Sequence, residues 1–379
     1  MSSPKLFQPI QVGDVQLQHR VVMAPLTRFR ANKEGVINDI AQIYYGQRAS
    51  TPGTLLISEA TFIAAQTAGY EHVPALEKPE QLEAWKKVTD AVHAKKSFIF
   101  AQLWAHGRAA DPEVLKKHGF PYVAPSDIPL LERAGAPPIK PEDAVKPRPM
   151  TIEEIKEYVQ LYATAAANAV NIAGFDGVEL HGANGYLIDQ FLQDVSNTRT
   201  DEYGGSIENR ARFALEVIDA VVKAVGAKKI AIRLSPWGKI QDMGMADPVP
   251  TFSYLVKQIA EKYPDFAYIH VVEPRVNGIF DRDEVAEHES NDFLRDIWAP
   301  RPFISAGGYN RQLALDVAEK KGDLIAFGRL FIANPDLPLR LKLNIPVTPY
   351  NRGLFYQVES PEGYIDYPFA EETELAGRL

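Results

Sequence analysis

The stretch from residue 177 to residue 186 carries three side chains that could do chemistry together. It begins as an apolar run, turns at Gly182 and places His181, Asn184 and Tyr186 within six positions. Glycine lets the backbone leave extended geometry at little steric cost, so the pattern is typical of a buried strand that ends in a polar loop. A lone buried histidine is more often a core residue. Three functional groups at one strand end favour a binding or acid–base site.

The rest of the chain predicts the scaffold that positions these groups. Apolar runs that read as buried strands occur at 20–25, 53–60, 97–104, 177–186, 230–235, 268–274, 303–308 and 324–329. Buried strands without polar alternation, separated by helical segments, indicate a parallel sheet. Eight such units predict an α/β fold, a (β/α)8 TIM barrel, whose chemistry sits at the carboxyl ends of the strands.

We expect one domain over residues 1–379, with a β-hairpin at 7–17 across the bottom of the barrel. Two segments rich in Pro, Gly and charge, about 108–150 and 275–299, are predicted insertions on the carboxyl-terminal face. A tail follows at about 345–379. No glycine-rich dinucleotide fingerprint follows a strand, which disfavours a doubly wound domain.

Composition excludes several classes of function. The net charge of −8, without a basic run, argues against nucleic-acid binding. The chain has no cysteine, which removes disulfides, thiolate metal sites and iron–sulfur clusters, and no metal site is expected. No signal peptide and no apolar stretch of about 20 residues is present, so we expect no membrane contact and a cytoplasmic location.

Two strand ends predict a phosphate cradle, because the loops after the seventh and eighth strands of such barrels commonly bind phosphate. Gly307 and Gly308 follow the seventh predicted strand, and Gly328 and Arg329 follow the eighth. A guanidinium offers a planar fork of donors that suits phosphate oxygens. The alternative is a simple turn with a surface salt bridge at Arg329.

Gln102 and Arg233 end the third and fifth predicted strands and are expected to point into the same mouth. A glutamine amide offers a donor and an acceptor side by side, which matches the edge of an imide-type ring. An arginine inside a barrel is costly unless it meets an anion or a ring with acceptors. An internal network, with Glu273 neutralising Arg233, is an equally good interpretation of these residues alone.

Five sequence motifs resemble those of the Old Yellow Enzyme family, the flavin-dependent NAD(P)H dehydrogenases that reduce activated alkenes. They are MAPLTR at 23–28, AQLW at 101–104, HGANGYLIDQF at 181–191, NTRTDEYGGS at 197–206 and FGRLFIANP at 327–335. The resemblance covers about residues 6–356, and the chain is most similar to fungal members of the family. The motif around His181 and the run at 197–206 are specific, whereas FGR alone would not be.

The resemblance implies a tightly bound, non-covalent FMN. Its contacts would be Pro25, Thr27, Ala60, Gln102, Arg233, Gly307, Gly308, Gly328 and Arg329. Thr27 would bond the flavin O4, Gln102 the pyrimidine edge, and Arg233 the N1 and O2 side. The glycines and Arg329 would hold the phosphate.

For the substrate, the resemblance implies that His181 and Asn184 bind the carbonyl oxygen of an enone, or the corresponding group of a nitroalkene, and that Tyr186 protonates the α-carbon. NADPH or NADH would be the co-substrate. The expected walls of the substrate pocket are Tyr70, Trp104, Ile240 and Tyr356, although core packing is nearly as good an interpretation for each.

Some relatives carry two histidines where this chain has His181 and Asn184, and certain fungal alkaloid-pathway relatives replace the tyrosine by phenylalanine. Tyr186 therefore favours a reductase over an isomerase-like role. Two other functions compete: a cofactor-free barrel lyase or isomerase acting on a phosphorylated substrate, and a non-catalytic flavin carrier. A monomer and a homodimer are both compatible with the sequence.

Overall fold

The strands are short and mostly buried. The computed structural model describes residues 3–133, 136–278 and 280–371. In these ranges the strands are β1 Ile10–Val12, β2 Val15–Leu17, β3 Val21–Met23, β4 Leu55–Ile57, β5 Thr61–Phe62, β6 Phe98–Trp104, β7 Val123–Ala124, β8 Arg148–Pro149, β9 Gly177–Gly182, β10 Ile230–Leu234, β11 Tyr268–Val272, β12 Val276–Asn277, β13 Phe280–Asp281, β14 Phe303–Ala306 and β15 Leu324–Phe327.

The helices of the same ranges lie mainly between these strands. They are α1 Ile40–Arg48, α2 Pro79–His93, α3 Pro112–Lys117, α4 Ile152–Asn171, α5 Leu187–Leu192, α6 Ile207–Val225, α7 Val249–Lys262, α8 Asp292–Trp298, α9 Arg311–Lys321, α10 Arg329–Ala333 and α11 Leu337–Leu343. Within the described part of the chain, none of these helices is long and apolar enough to cross a bilayer.

Eight parallel strands close into a barrel. Their order is β4-β3-β15-β14-β11-β10-β9-β6, and β4 also pairs with β6, which joins the two edges. The predicted TIM barrel is confirmed, and so is the hairpin, where β1 pairs antiparallel with β2. The barrel strands are mainly apolar because one face meets the barrel interior and the other meets the helices.

Helix α4 shows why the local sequence folds as it does. Thr151 accepts from the N–H of Glu154 at 3.2 Å, and Glu154 accepts from the N–H of Thr151 at 2.8 Å, which is a capping box. The apolar stripe of this helix is buried: Ile155, Val159, Tyr162, Ala166 and Ala169. The stripe packs the helix beside α6 and fixes the approach to β9.

The two predicted insertions differ in content. Residues 108–150 hold the short helix α3 and the two-stranded pair β7–β8. Residues 275–299 begin with the pair β12–β13 but end in α8, which packs on α7 in the position of a barrel helix. The irregular part of the second segment therefore ends at Asn291 rather than at Ala299.

Three buried arginines, Arg28, Arg30 and Arg48, tie the segment 354–365 to the barrel, and we call them the arginine clamp. Each is 0% exposed. Arg28 donates to the carbonyl oxygen of Phe355 at 3.0 Å and to that of Gly363 at 2.7 Å. Guanidinium groups tolerate this burial because their donors are satisfied by backbone carbonyls.

Glu59 lies beside the arginine clamp. Its side chain is 1% exposed, and neither carboxyl oxygen has a hydrogen-bond partner among the described residues. Burial raises the pKa of Glu59 to about 7, although the charges of Arg28 and Arg30 oppose the shift. The carboxyl group is thus balanced by cations without being bonded to them.

Candidate active site

A cavity of about 1100 Å³ opens at the carboxyl ends of the barrel strands. The structure brings every site residue predicted from the sequence into its lining: Pro25, Thr27, Ala60, Tyr70, Gln102, Trp104, His181, Asn184, Tyr186, Arg233, Ile240, Gly307, Gly308, Gly328, Arg329 and Tyr356. They come from loops and strand ends far apart in the chain. Their convergence follows from the barrel, because parallel strands deliver their carboxyl ends to one face.

The loop after β9 is held by side chains from neighbouring elements. Asn184 has a φ of 59°, in the left-handed region that asparagine tolerates better than most residues. Its N–H donates to the hydroxyl of Ser235 at 2.8 Å, and its carbonyl accepts from Gln241 at 2.5 Å. The N–H of Gly185 donates to Asp189 at 2.8 Å. The backbone is therefore fixed from three sides while the amide of Asn184 lines the cavity.

His181 is a neutral donor in this geometry. Burial, and then the charge of Arg233, lower the pKa of His181 well below its usual range. Its Nδ1 accepts from the N–H of Ala183 at 3.4 Å. In the neutral ring the proton is consequently on Nε2, which makes that nitrogen the one able to donate to an acceptor in the cavity.

Tyr186 lies between His181 and a set of aromatic walls. Its ring is 4.8 Å from that of His181 at 75°, and 4.7 Å from that of Trp104 at 88°. Burial, and then the neighbouring Tyr70, raise the pKa of Tyr186 above the usual phenol value. The hydroxyl therefore keeps its proton at neutral pH and can act as a proton donor.

His106 is a functional candidate that sequence reasoning missed. It is 0% exposed and lies against Trp104, Tyr70 and Tyr186, with ring centroids 4.1, 4.6 and 5.3 Å away. Its Nδ1 accepts from the N–H of Gly69 at 3.0 Å, and its carbonyl accepts from Gln190 at 2.8 Å. The signal available in the sequence was the position of His106, two residues after Trp104 at the end of the third predicted strand.

Gln102 and Arg233 form the inner wall of the cavity. Gln102 is 1% exposed, and the Nε of Arg233 is buried without a hydrogen-bond partner among the described residues. The suggested neutralisation of Arg233 by Glu273 is wrong. Glu273 lies 3.4 Å from both Arg275 and Arg295, on the β11–β14 side of the barrel. The acid whose charge acts on Arg233 is Glu179.

The glycine pairs after β14 and β15 make a concave backbone surface. Gly307 and Gly308 have φ of 121° and 62°, and a Cβ on Gly307 would lie 2.6 Å from Val276. Only glycine fits such a conformation without strain. Arg329 faces this surface, where it pairs with Asp281 at 2.5 Å, so both interpretations of this arginine from the sequence remain compatible with its position.

Arg275 is a second arginine at the same surface, and the sequence did not indicate it. Its Nε donates to the carbonyl oxygen of Gly307 at 2.7 Å, and its guanidinium lies 4.4 Å from the ring centre of Tyr309. Its Nη2 is buried without a partner among the described residues. An unsatisfied buried guanidinium N–H beside a glycine cradle suits an anionic oxygen.

These residues fit the group that the sequence motifs imply. A buried glutamine amide and an arginine with an unpaired Nε suit the acceptors and the imide of an isoalloxazine ring. The glycine cradle with Arg275 and Arg329 suits the phosphate. Above the inner wall, His181, Asn184 and Tyr186 supply two neutral donors and one protonated phenol for a second molecule.

Comparisons with known proteins agree with this geometry. The model of the NADH:flavin oxidoreductase / NADH oxidase family matches residues 5–348. The NADP-dependent oxidoreductase lnbE of Aspergillus flavus is 50% identical over 381 residues, which cover 97% of each chain. The chanoclavine-I aldehyde reductase fgaOx3 of Penicillium roqueforti is 48% identical over 376 residues, which cover 98% of each chain.

Among solved structures, an Old Yellow Enzyme from Pichia sp. AKU4542 superposes with a TM-score of 0.87 at 41% identity. The match covers 97% of this chain and 94% of that one. Relatives from Claviceps carry names that describe them as inactive dehydrogenases. The similarity extends over nearly the whole chain, as a member of a flavoprotein family would show.

Proposed function

This chain belongs to the NADH:flavin oxidoreductase / NADH oxidase family, which includes the Old Yellow Enzymes, and we propose that it is an FMN-dependent ene-reductase driven by NAD(P)H. Its substrate class is small molecules with an alkene conjugated to a carbonyl or a nitro group. The observation that carries the proposal is the juxtaposition of the protonated Tyr186 and the neutral His181, with ring centroids 4.8 Å apart, in the cavity that Gln102 and Arg233 also line.

His181 and Asn184 act on the oxygen of the substrate. When bound, FMN supplies the hydride that it has received from NAD(P)H. Negative charge then develops on the carbonyl oxygen, and the Nε2–H of His181 with the amide N–H of Asn184 donates to it. Donors held in place before the reaction stabilise such charge better than water, which must reorganise.

Tyr186 acts on the carbon. Its hydroxyl keeps its proton because burial disfavours the phenolate. It gives that proton to the α-carbon as the hydride is added to the β-carbon, so two C–H bonds form and the C=C double bond becomes single. Asn184 and Tyr186 flank Gly185, whose N–H is fixed by its hydrogen bond to Asp189.

The cofactor contacts are assigned on the same basis. Thr27, Pro25 and Ala60 lie at the ends of β3 and β4, and Gln102 and Arg233 form the inner wall. The cradle of Gly307, Gly308, Gly328 and Arg329 would hold the phosphate. Tyr70, Trp104, Ile240 and Tyr356 would bound the substrate.

The first experiment is a spectrum of the purified protein. We expect flavin absorbance, released as FMN on denaturation, that NADPH or NADH bleaches in the absence of oxygen and that 2-cyclohexenone restores. A protein that stays colourless after incubation with FMN would refute the proposal. A protein that binds FMN without turnover would instead be a non-catalytic flavin carrier.

The second experiment separates the roles of the three side chains. Tyr186→Phe should slow alkene reduction by about 10²–10⁴-fold, the range for loss of a proton donor, while flavin reduction by NADPH changes much less. Replacing both His181 and Asn184 by Ala should abolish the long-wavelength charge-transfer band that phenols give with oxidised flavin. A band of unchanged intensity would remove both residues from the anion site.

A further inference from the structure

A buried polar layer lies inside the barrel beneath the proposed flavin site. It consists of Gln102, Glu179, Arg233 and His270, and we call it the Glu179 layer. Gln102 is the register partner of Glu179 across β6 and β9, and Arg233 is the partner of His270 across β10 and β11. Register partners in a parallel sheet point to the same face, so these side chains share the barrel interior. Glu179 and His270 are both 0% exposed.

Both carboxyl oxygens of Glu179 are used. Oε1 accepts from the Nε2 of Gln102 at 2.8 Å, and Oε2 lies 2.9 Å from the Nδ1 of His270. Burial lowers the pKa of His270, which opposes its protonation. The neutral ring donates its Nδ1–H to Glu179. Glu179 is therefore the common acceptor of the layer.

Arg233 is the cation that balances this carboxylate. Burial lowers the pKa of Arg233, and the charge of Glu179 is the largest influence that opposes this. A carboxylate removed from water costs several kcal/mol unless it is paired. With His270 neutral, the layer holds one negative and one positive charge. The positive member lines the cavity, whereas Glu179 lies behind it.

We propose that Glu179 is a positioning residue, one that sets the orientation of the Gln102 amide and reduces the positive potential that Arg233 presents to the bound flavin. This rests on the proposed function. The hydrogen bond from Gln102 to Glu179 determines which of the two amide atoms of Gln102, the nitrogen or the oxygen, points toward Glu179. The negative charge of Glu179 opposes the addition of electrons to a ring bound against Arg233. The layer thus lowers the reduction potential of bound FMN and improves it as a hydride donor.

The test uses the FMN-loaded protein and its two-electron midpoint potential, measured by equilibration with reference dyes. Glu179→Gln should raise the potential by about 30 mV or more, which corresponds to a tenfold or larger shift in the ratio of FMN affinities between its two redox states. Asp323→Asn is the control, because Asp323 is a buried acid that is paired with Arg295 rather than with Arg233 and does not line the cavity. It should leave the potential unchanged.

Glu179→Asp tests the orienting role separately, because it keeps the charge but shortens the reach to Gln102. It should weaken FMN binding by about tenfold with little change in potential. The loss should disappear in a Gln102→Leu background, since the two residues act through one bond. This measurement also stands if Glu179→Gln does not fold.

The possible failures are distinguishable. A wild-type protein that takes up no FMN overturns both the proposed function and this inference. A wild-type protein that binds FMN, with a potential unchanged in Glu179→Gln, overturns the inference alone. If the losses of FMN affinity caused by Glu179→Asp and Gln102→Leu are additive in the double variant, the orienting role is overturned.

Discussion

The imidazole of His106 stacks against the phenol ring of Tyr186, with centroids 5.3 Å apart and planes 25° from parallel. The same imidazole accepts the N–H of Gly69, the neighbour of Tyr70 in the chain. It therefore touches the proposed proton donor and anchors the loop that carries another wall of the pocket. Burial lowers the pKa of His106 well below its usual range, so the ring stays neutral.

We expect His106→Leu to slow alkene reduction by roughly 10–100-fold, because small displacements of a reacting group carry losses of this size. The buried N–H of Gly69 also loses its acceptor, which costs about 1–3 kcal/mol of stability. Stopped-flow measurement should show a much smaller effect on flavin reduction. His106→Asn retains an acceptor and should recover part of the rate. Equal rates for the leucine variant and the wild type would leave His106 as packing alone.

A pair of glycine substitutions tests the phosphate cradle. Gly308 and Gly322 both have positive φ, 62° and 77°, so alanine costs about 1 kcal/mol of stability at either position. A Cβ on Gly308 would lie 3.2 Å from Arg275, whereas one on Gly322 would meet no atom within 4 Å. Titration of the apo-protein with FMN should show roughly tenfold weaker binding, about 1.4 kcal/mol, for Gly308→Ala only. Equal FMN dissociation constants for Gly308→Ala and Gly322→Ala would show that the phosphate binds elsewhere.

Glu59→Gln should change stability in a pH-dependent way. The pKa of Glu59 rises from 4.5 to about 7 on folding, so between these values the folded chain binds a proton that the unfolded chain has released. The unfolding free energy of the wild type therefore falls as pH rises through this window, and the variant lacks this loss. From pH 4.5 to pH 8, the unfolding free energy of the variant should increase by about 3 kcal/mol relative to that of the wild type. Urea unfolding at the two pH values measures this change. If the unfolding free energies of the variant and the wild type differ by the same amount at both pH values, the raised pKa of Glu59 is contradicted.

Arg30→Lys tests the arginine clamp. Arg30 donates to the carbonyl oxygens of Ser360, Phe355, Leu354 and Glu362 at 2.9, 2.8, 3.1 and 2.8 Å, a set that a lysine ammonium cannot reach together. We expect the free energy of unfolding to fall by about 2–4 kcal/mol and proteolysis within 354–365 to be faster. Lys33→Ala is the control, since Lys33 is exposed and solvent screens its ion pair with Glu71. Unchanged proteolysis in Arg30→Lys would show that other contacts hold the segment.

The barrel was predictable because its strands are buried on both faces and therefore appear as unbroken apolar runs. Once the architecture is known, the strand ends must meet, which is why residues as distant as Thr27 and Arg329 could be placed in one cavity. The helix α8 was missed because its seven residues span less than two turns, too few for a periodic pattern to stand out from the charged segment before it.

The partners of buried charges were not predictable in the same way. Glu179 and Glu273 both lie at barrel strands, and which one faces Arg233 depends on register and side-chain direction rather than on residue type. His106 gave no periodic signal either, because its role depends on the N–H of Gly69, 37 residues earlier in the chain. Contacts of this kind arise from packing between elements, which no local pattern encodes.

The arginine clamp has a consequence for the order of events during synthesis. Arg28 and Arg48 find their backbone acceptors 283 to 335 residues later, in the segments around Phe331 and Gly363. A nascent chain must keep these guanidinium groups hydrated until residues 331–364 have left the ribosome. Because β3 also pairs with β15, the barrel itself closes only at this stage. Long-range contacts of this separation are slow to form, so the need for chaperones should be greatest until residues 331–364 have been synthesised.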